Sequence, residues 1–188
     1  LGSATPSWPD TYSPRFDSEF RKAADHWLSS GPDWPWAKAQ GLQESQRRIG
    51  RTAAGGWLIE SDPDAVSSVG ARGIMQVMPG TWAEIRKAMG WPDVSPRSAP
   101  HNIFGGVWYQ ARMARIWARN RSVAEAYDLG LASYNAGPGT ILAAQRKCGD
   151  RRLWAEIAPC LAQVSGSANA KQTIDYVRNI GKWRGMMP

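Results

Sequence analysis

The sequence predicts a mainly α, globular domain with at most one small β-hairpin. Three observations carry that expectation. Apolar residues recur at three- and four-residue intervals in one segment after another, the period of a half-buried helix. Clusters of Pro and Gly separate those segments at helix-like lengths. No stretch alternates β-branched and polar residues repeatedly, and no repeat of fixed period runs through the chain. With 188 residues, 43% of them hydrophobic and 21% charged, the chain can bury a core without staples, which excludes disorder and collagen-like architecture. No apolar run is long enough for a membrane span.

The elements follow in order. Residues 1–14, with Pro6, Pro9, Pro14 and Gly2, read as an irregular arm ahead of one domain over 15–188. From Arg15 to Ser29, Phe16, Phe20, Ala23, Ala24 and Trp27 form one stripe of an amphipathic helix. After the Gly31-Pro32 turn, a helix is expected over Pro35–Ser45. Gly50, Gly55 and Gly56 break any helix over 46–60, and a small hairpin is expected between 57 and 77. Thr81 is expected to cap a helix ending at Met89, followed by a loop with Pro92, Pro96 and Pro100. A long helix is expected over Asn102–Asn120. Ser122 and Glu125 form the S-x-x-E capping box of the next, which ends at the Asn135-Ala136-Gly137-Pro138-Gly139 turn. Further helices are expected from Thr140 to about Gly149 and over 167–183, for about seven or eight in all.

The charge balance is 23 basic residues against 16 acidic, or +7. Such a surplus favours polyanions: nucleic acid, a membrane face or an anionic cell wall. The arginines are scattered apart from Arg47–Arg48–Arg51 and Arg151–Arg152, and aromatic and basic residues are not interleaved on one face, which speaks against nucleic acid. Most of the 11 tryptophans are expected in the core, with Trp8, Trp34, Trp36 and Trp91 exposed beside prolines or chain ends. Cys148 and Cys160 flank about two helical turns, so a disulfide closing a short loop is expected, with two buried thiols as the alternative. A bridge would mark an oxidising compartment. Two cysteines and two histidines, His26 and His101, lack zinc-ligand spacing, so no metal and no cofactor is expected.

Only six glutamates are present, and most have helix-end explanations: Glu19 and Glu84 lie in first turns and Glu125 caps a helix. Glu44 differs. It ends the Trp36–Ser45 segment, one turn past Gln40 and two past Trp36, on the same helical face as that tryptophan. The negative end of the helix dipole and desolvation both disfavour its charged form, and a carboxyl kept protonated near neutral pH can act as a general acid. A solvated helix end is the bland alternative.

Five blocks in order, KAQGLQES, DPDAVSSVGARGIMQVMPGTW, HNIFGGVWY, ASYNAGPGT and QTIDYVRNI, closely resemble the soluble lytic transglycosylase (SLT) family over about residues 34–181. That resemblance implies a lysozyme-like, mostly helical fold and cleavage of the β-1,4 bond between N-acetylmuramic acid and N-acetylglucosamine. It places the catalytic acid at Glu44, followed by Ser45. It puts Ser67, Gly73, Gln76 and Met78 along the sugar cleft, with Tyr134 and Asn135 near the acid and Tyr176 orienting it. It implies peptidoglycan glycan strands as the partner, a monomer, and a periplasmic or cell-envelope location reached through a signal or anchor not contained in these residues. The chain departs from the family in two places. Asp62 lies 18 positions after Glu44, an insertion whose end carries a second Glu-Ser pair, Glu60–Ser61. Glu44 is preferred because its block keeps family spacing on a good helix, whereas Glu60 follows Gly55–Gly56 and sits close to Asp62–Pro63. The family's Glu-Thr pair is Gln172–Thr173 here.

The expected mechanism uses one carboxyl as acid and then base, closing a 1,6-anhydro ring without water. Rival readings are a hydrolytic goose-type lysozyme, with Asp62 or Asp64 positioning water, a non-catalytic glycan-binding module, and a basic nucleic-acid binder. Asp62 also fits a turn residue before Pro63. A phage endolysin is favoured as the user, with a virion-associated enzyme or a bacterial wall-remodelling enzyme as alternatives. The 46–60 insert is read as a lid over the glycan or an inert loop.

Overall fold

The computed structural model describes residues 7–188. The chain divides into two compact units: one made of the residues up to Ser29 with Asp33–Trp108 and Asn179–Pro188, the other of Ser30–Pro32 with Tyr109–Arg178.

The first unit begins with a two-residue strand, β1 (Thr11–Tyr12), inside the stretch expected to be irregular. Helix α1 (Asp17–Trp27) buries Phe20, Ala23 and Ala24, the i, i+3, i+4 core of the anticipated stripe. Helix α2 (Trp34–Ser45) starts with Pro35 in its first turn, where the missing N–H costs nothing. It is buried over most of its circumference, Lys38 included. The Lys38 ammonium is satisfied by Asp17 Oδ1 at 2.7 Å and the Ser13 carbonyl at 3.0 Å, the condition for burying a charge.

Strands β2 (Gln46–Arg51) and β3 (Trp57–Ser61) follow directly and pair antiparallel, while β1 pairs parallel with the other side of β3. The hairpin therefore spans 46–61 rather than 57–77. Thr52 and Gly55–Gly56 make its turn, with Thr52 N donating to the Gly56 carbonyl at 2.8 Å. The alternation expected of a strand is lost in β2 because a bulge interrupts the register between Arg48 and Gly50. Residues 62–78 carry only isolated bridges, from Arg72 to Val66 and to Val77.

Helix α3 (Pro79–Met89) has Met78, not Thr81, as its N-cap, since Pro79 presets the first helical φ. It ends on left-handed Gly90. Helix α4 spans Ala99–Ile116, earlier than expected at both ends. The Ser98 carbonyl already accepts Asn102 N at 2.8 Å. At the far end Trp117 N and Ala118 N make tighter i→i−3 bonds before Asn120 turns to positive φ. The last turns of helix α9 (Ser167–Gly185) return to the first unit. There Trp183 is fully buried, its indole N–H donates to Gln43 Oε1 at 3.0 Å, and its ring meets Tyr12 edge-on at 5.3 Å.

In the second unit, helix α5 (Val123–Ala136) carries the anticipated capping box: Glu125 N donates to Ser122 Oγ at 3.1 Å and Ser122 N to Glu125 Oε2 at 2.9 Å. Helix α6 (Pro138–Lys147) again starts at a proline, two residues before Thr140. Single turns α7 (Trp154–Ile157) and α8 (Ala162–Ser165) flank a 3₁₀ turn at Ala158–Cys160. Leu129, Leu131, Ile141, Ile157 and Leu161 are fully buried, and Trp117 donates to Ser133 Oγ at 2.8 Å. Cys148 and Cys160 are bridged, with Cα atoms 5.7 Å apart, joining the end of α6 to the 3₁₀ turn.

Of the tryptophans expected to be exposed, Trp8 is, at 83%. Trp34, Trp36 and Trp91 are half-buried. Aromatic edges and an arginine cover two of them: Trp91 stands edge-on to His101 at 4.8 Å, and the Arg21 guanidinium lies 4.7 Å over Trp34.

Candidate functional site

In the first unit, three segments meet at the C-terminal end of α2. Glu44 is half-buried in the last turn, and Ser45 beside it is buried. Ser45 Oγ lies 2.8 Å from the Ile74 carbonyl and 3.1 Å from the Gly41 carbonyl. The Ser45 carbonyl accepts Asp62 N at 2.8 Å. One serine thus ties the helix end to the loop containing the G-A-R-G-I-M-Q block and to the turn that follows the hairpin.

That loop is locked from within. Ser67 Oγ accepts Ala71 N at 3.0 Å, and Ser67 N donates to the Ala71 carbonyl at 2.9 Å. Gly73 N reaches the Ala65 carbonyl at 2.9 Å. Gly73 holds φ +77°, and a Cβ there would fall 2.4 Å from Asn102 Nδ2 and 2.5 Å from the Pro96 carbonyl oxygen, so only glycine fits. Gln76 sits at φ 49°, a strained conformation for a residue with a side chain. Its amide nitrogen donates to the carbonyls of Ala65 at 3.1 Å and Gly73 at 2.9 Å, which uses both hydrogens and leaves Oε1 as the group it can offer a ligand. Met78, 42% exposed, stands at the start of α3.

Asn102 was not singled out in the sequence, although it is the second residue of the third block. It is fully buried, accepts Met75 N at 2.7 Å, and donates to the carbonyls of Pro96 at 2.9 Å and Arg72 at 3.2 Å. The signal available was an asparagine directly before an apolar helical run, a residue type that competes with helix unless it serves backbone elsewhere.

The second Glu-Ser pair sits differently. Glu60 lies in strand β3 and is 5% exposed. Its Oε2 accepts Arg47 Nη2 at 2.8 Å, Arg47 Nε at 3.2 Å and Arg15 Nη1 at 3.3 Å. The same bond to Glu60 is the main cause that raises the Arg47 guanidinium pKa. Asp62 Oδ1 accepts Asp64 N at 2.9 Å and Arg47 Nη1 at 3.2 Å. Asp64 pairs with Arg97 at 3.2 Å. These three carboxylates are engaged by arginines and turn backbone.

The remaining predicted residues belong to the second unit. Tyr134 and Asn135 lie in the last turn of α5, which ends at Ala136 before the positive-φ Gly137. The Tyr134 ring meets Tyr109 edge-on at 5.5 Å. Asn135 Oδ1 accepts Thr173 Oγ1 at 2.7 Å, which links it to α9, where Tyr176 is buried three residues further on. Gln172 is exposed.

Comparison with known proteins gives a consistent result. The transglycosylase SLT domain model matches residues 59–157, which includes Glu60 and begins after Glu44. The chain is 30% identical over 182 residues to membrane-bound lytic murein transglycosylase F 1 of Alkalilimnicola ehrlichii, covering 89% of this chain and 32% of that protein. It is 28% identical over 189 residues to membrane-bound lytic murein transglycosylase F of Maricaulis maris, covering 93% of this chain and 36% of that one. The chain thus spans about a third of the length of these curated relatives. Among solved structures, an inactive glutamate-to-glutamine variant of lytic transglycosylase Slt from Pseudomonas aeruginosa superposes with TM-score 0.63 at 25% identity, over 92% of this chain and 24% of that one. The 70 kDa soluble lytic transglycosylase of Escherichia coli gives TM-score 0.61 at 22% identity, over 93% and 25% respectively, a likeness of fold. The mainly helical, lysozyme-like architecture is therefore shared with these enzymes. With the Glu44–Ser45 helix end hooked to the G-A-R-G-I-M-Q loop, and the domain model matching just over half of the 188 residues, this chain belongs to the transglycosylase SLT domain family.

Proposed function

We propose that the chain is a peptidoglycan lytic transglycosylase in which Glu44 is the single acid and base. One observation carries the assignment: Ser45 is buried and bonded to Ile74, so the adjacent glutamate ends its helix half-buried beside the strained, internally bonded loop of Gly73 and Gln76. Protonated Glu44 donates to the leaving glycosidic oxygen as the bond from C1 breaks. The substrate's own N-acetyl group stabilises the oxocarbenium-like centre. The Glu44 carboxylate then takes the proton of the O6 hydroxyl as O6 bonds to C1, which regenerates the acid and closes the 1,6-anhydro ring. A conventional pair of carboxylates is not needed for this chemistry.

In the first unit, Ser67, Gln76 and Met78 are proposed to contact the glycan; for Tyr134, Asn135 and Tyr176 of the second unit, the substrate-binding role that the resemblance implies is kept as a proposal. Glu60 is a weaker candidate for the acid, because its Oε2 is already engaged by Arg15 and Arg47 and the residue is 5% exposed in strand β3. Asp62 and Asp64 are occupied in the same way, which disfavours a hydrolytic route through either. The net charge of +7 suits an anionic cell wall, and binding to it weakens as salt is raised. We place the chain in the periplasm or cell envelope, acting as a monomer. No helix among the described residues is long and apolar enough to cross a membrane.

Mass spectrometry of muropeptides released from purified sacculi tests the reading: the new ends are one water lighter than reducing ends. E44Q releases none while keeping its fold by circular dichroism. E60Q still releases them, and melts lower because a buried carboxylate with two arginine partners is lost, a cost of about 1–3 kcal/mol. Full activity in E44Q with an inactive, folded E60Q would move the acid to Glu60. Reducing ends in place of anhydro ends would make the enzyme a lysozyme.

A further inference from the structure

We infer that the β2–β3 hairpin carries a guanidinium clasp, Arg48–Trp57–Arg51, that binds the carboxylates of the peptide stems borne by peptidoglycan glycan strands. The inference rests on the function proposed above and names a second part of the same substrate.

The clasp is created by the bulge. Arg48 pairs with Ile59, Gly50 with Leu58 and Arg51 with Trp57, so Ile49 is the extra residue. In a regular strand Arg48 and Arg51, three positions apart, would point to opposite faces. The inserted residue restores them to one face. Both guanidinium carbons then lie over the same indole, Arg48 at 4.8 Å and Arg51 at 4.4 Å from the Trp57 ring centre. The ring is anchored at its base, because Trp57 N donates to Asp10 Oδ1 at 2.7 Å. Arg47, on the other face, is consumed by Glu60 and Asp62. Arg48 and Arg51 are exposed, and among the described residues neither pairs with a carboxylate.

Contact with one ring restrains two exposed guanidiniums side by side, and a guanidinium suits a carboxylate better than a flexible ammonium would. The position suits the substrate. Strand β2 begins one residue after Ser45, and at about 3.3 Å per register step Arg48 lies about 7 Å and Arg51, past the bulge, about 13 Å from its first residue. The strand is an edge of the sheet, and Arg48, Ile49 and Arg51 on it are exposed. A glycan strand lying over the end of α2 would hang its stem peptides within reach of this edge.

The test compares wild type with R48Q/R51Q on two substrates: intact sacculi, and glycan strands freed of peptides by an amidase. The double variant is expected to lose about fivefold in kcat/KM on sacculi, through KM, as for two exposed charge contacts. Its turnover of peptide-free strands stays within about twofold of wild type. R48K/R51K keeps part of the preference for sacculi. Sedimentation of E44Q with sacculi, with and without R48Q/R51Q, reads the clasp independently of chemistry: binding weakens about fivefold with sacculi and is unchanged with stripped strands. Should wild type release no anhydro products, the proposed function fails while this binding comparison still decides the clasp. Equal losses on both substrates, or none on sacculi, would overturn the inference. New self-association of the double variant, with unchanged binding to sacculi, would instead assign the arginines to guarding an open strand edge.

Discussion

Two glycines of the loop beside Glu44 allow its packing to be measured by difference. Gly70 and Gly73 both hold left-handed backbone, at φ +91° and +77°. A Cβ on Gly70 would meet nothing within 4 Å, whereas one on Gly73 would meet Asn102 Nδ2 at 2.4 Å and the Pro96 oxygen at 2.5 Å. G70A therefore costs the conformational term alone, about 1–2 kcal/mol. G73A adds overpacking, about 1–3 kcal/mol, against a backbone carbonyl that cannot swing away. It also pushes Asn102 off the Met75 N–H it accepts at 2.7 Å, for about 1 kcal/mol more. The sum for G73A is about 3–6 kcal/mol. In a chain of this size the expected falls in Tm are about 4 °C for G70A and about 12 °C for G73A. Thermal melts followed by circular dichroism measure both, and muropeptide release at low temperature reads the site. If G73A melts together with G70A or above it, the loop is not packed as described, and the account of how Asn102 braces it fails.

Two further outcomes concern the second unit. Burial lifts the Asp128 carboxyl above its ordinary 3.8. Between 3.8 and the raised value the folded chain holds a proton that the unfolded chain has released, so stability falls as pH rises through that window and stays lower above it. D128N is therefore more stable than wild type near neutral pH and loses the advantage at about pH 3; an equal difference at both would show that ionisation is not the cause. S122A removes one arm of the α5 capping box and costs about 1 kcal/mol, or about 3 °C in Tm, while S122G costs only a few tenths of a kcal/mol. Indistinguishable melts for S122A and wild type would leave the box without energetic weight.

The parts of this molecule legible in its sequence are those governed by near neighbours along the chain. The stripe of α1, the Ser122–Glu125 box and the helical setting of Glu44 depend on residues three or four positions apart, and each was visible as spacing. The SLT resemblance was legible for a related reason, since the blocks that carry it are contiguous strings. Even locally, two helix starts were misplaced, because Pro79 and Pro138 set the first turn more strongly than the hydroxyl residues Thr81 and Thr140 behind them.

What only the tertiary structure decided involves partners far apart in the chain. The hairpin at 46–61 was hidden because one extra residue in β2 shifts the phase of its side chains, and the register that reveals the shift belongs to β3. Glu60 became a structural anchor only when Arg15, 45 positions away, and Arg47 closed on it. Asn102 is separated by 27 residues from the amide it holds, and Trp183 by 140 from the glutamine it meets. Sequence spacing determines which face of a helix or strand a side chain occupies. It does not determine which distant backbone group or charge that face will meet, because that choice is made by burial, where an unpartnered polar group costs more than the chain can spare.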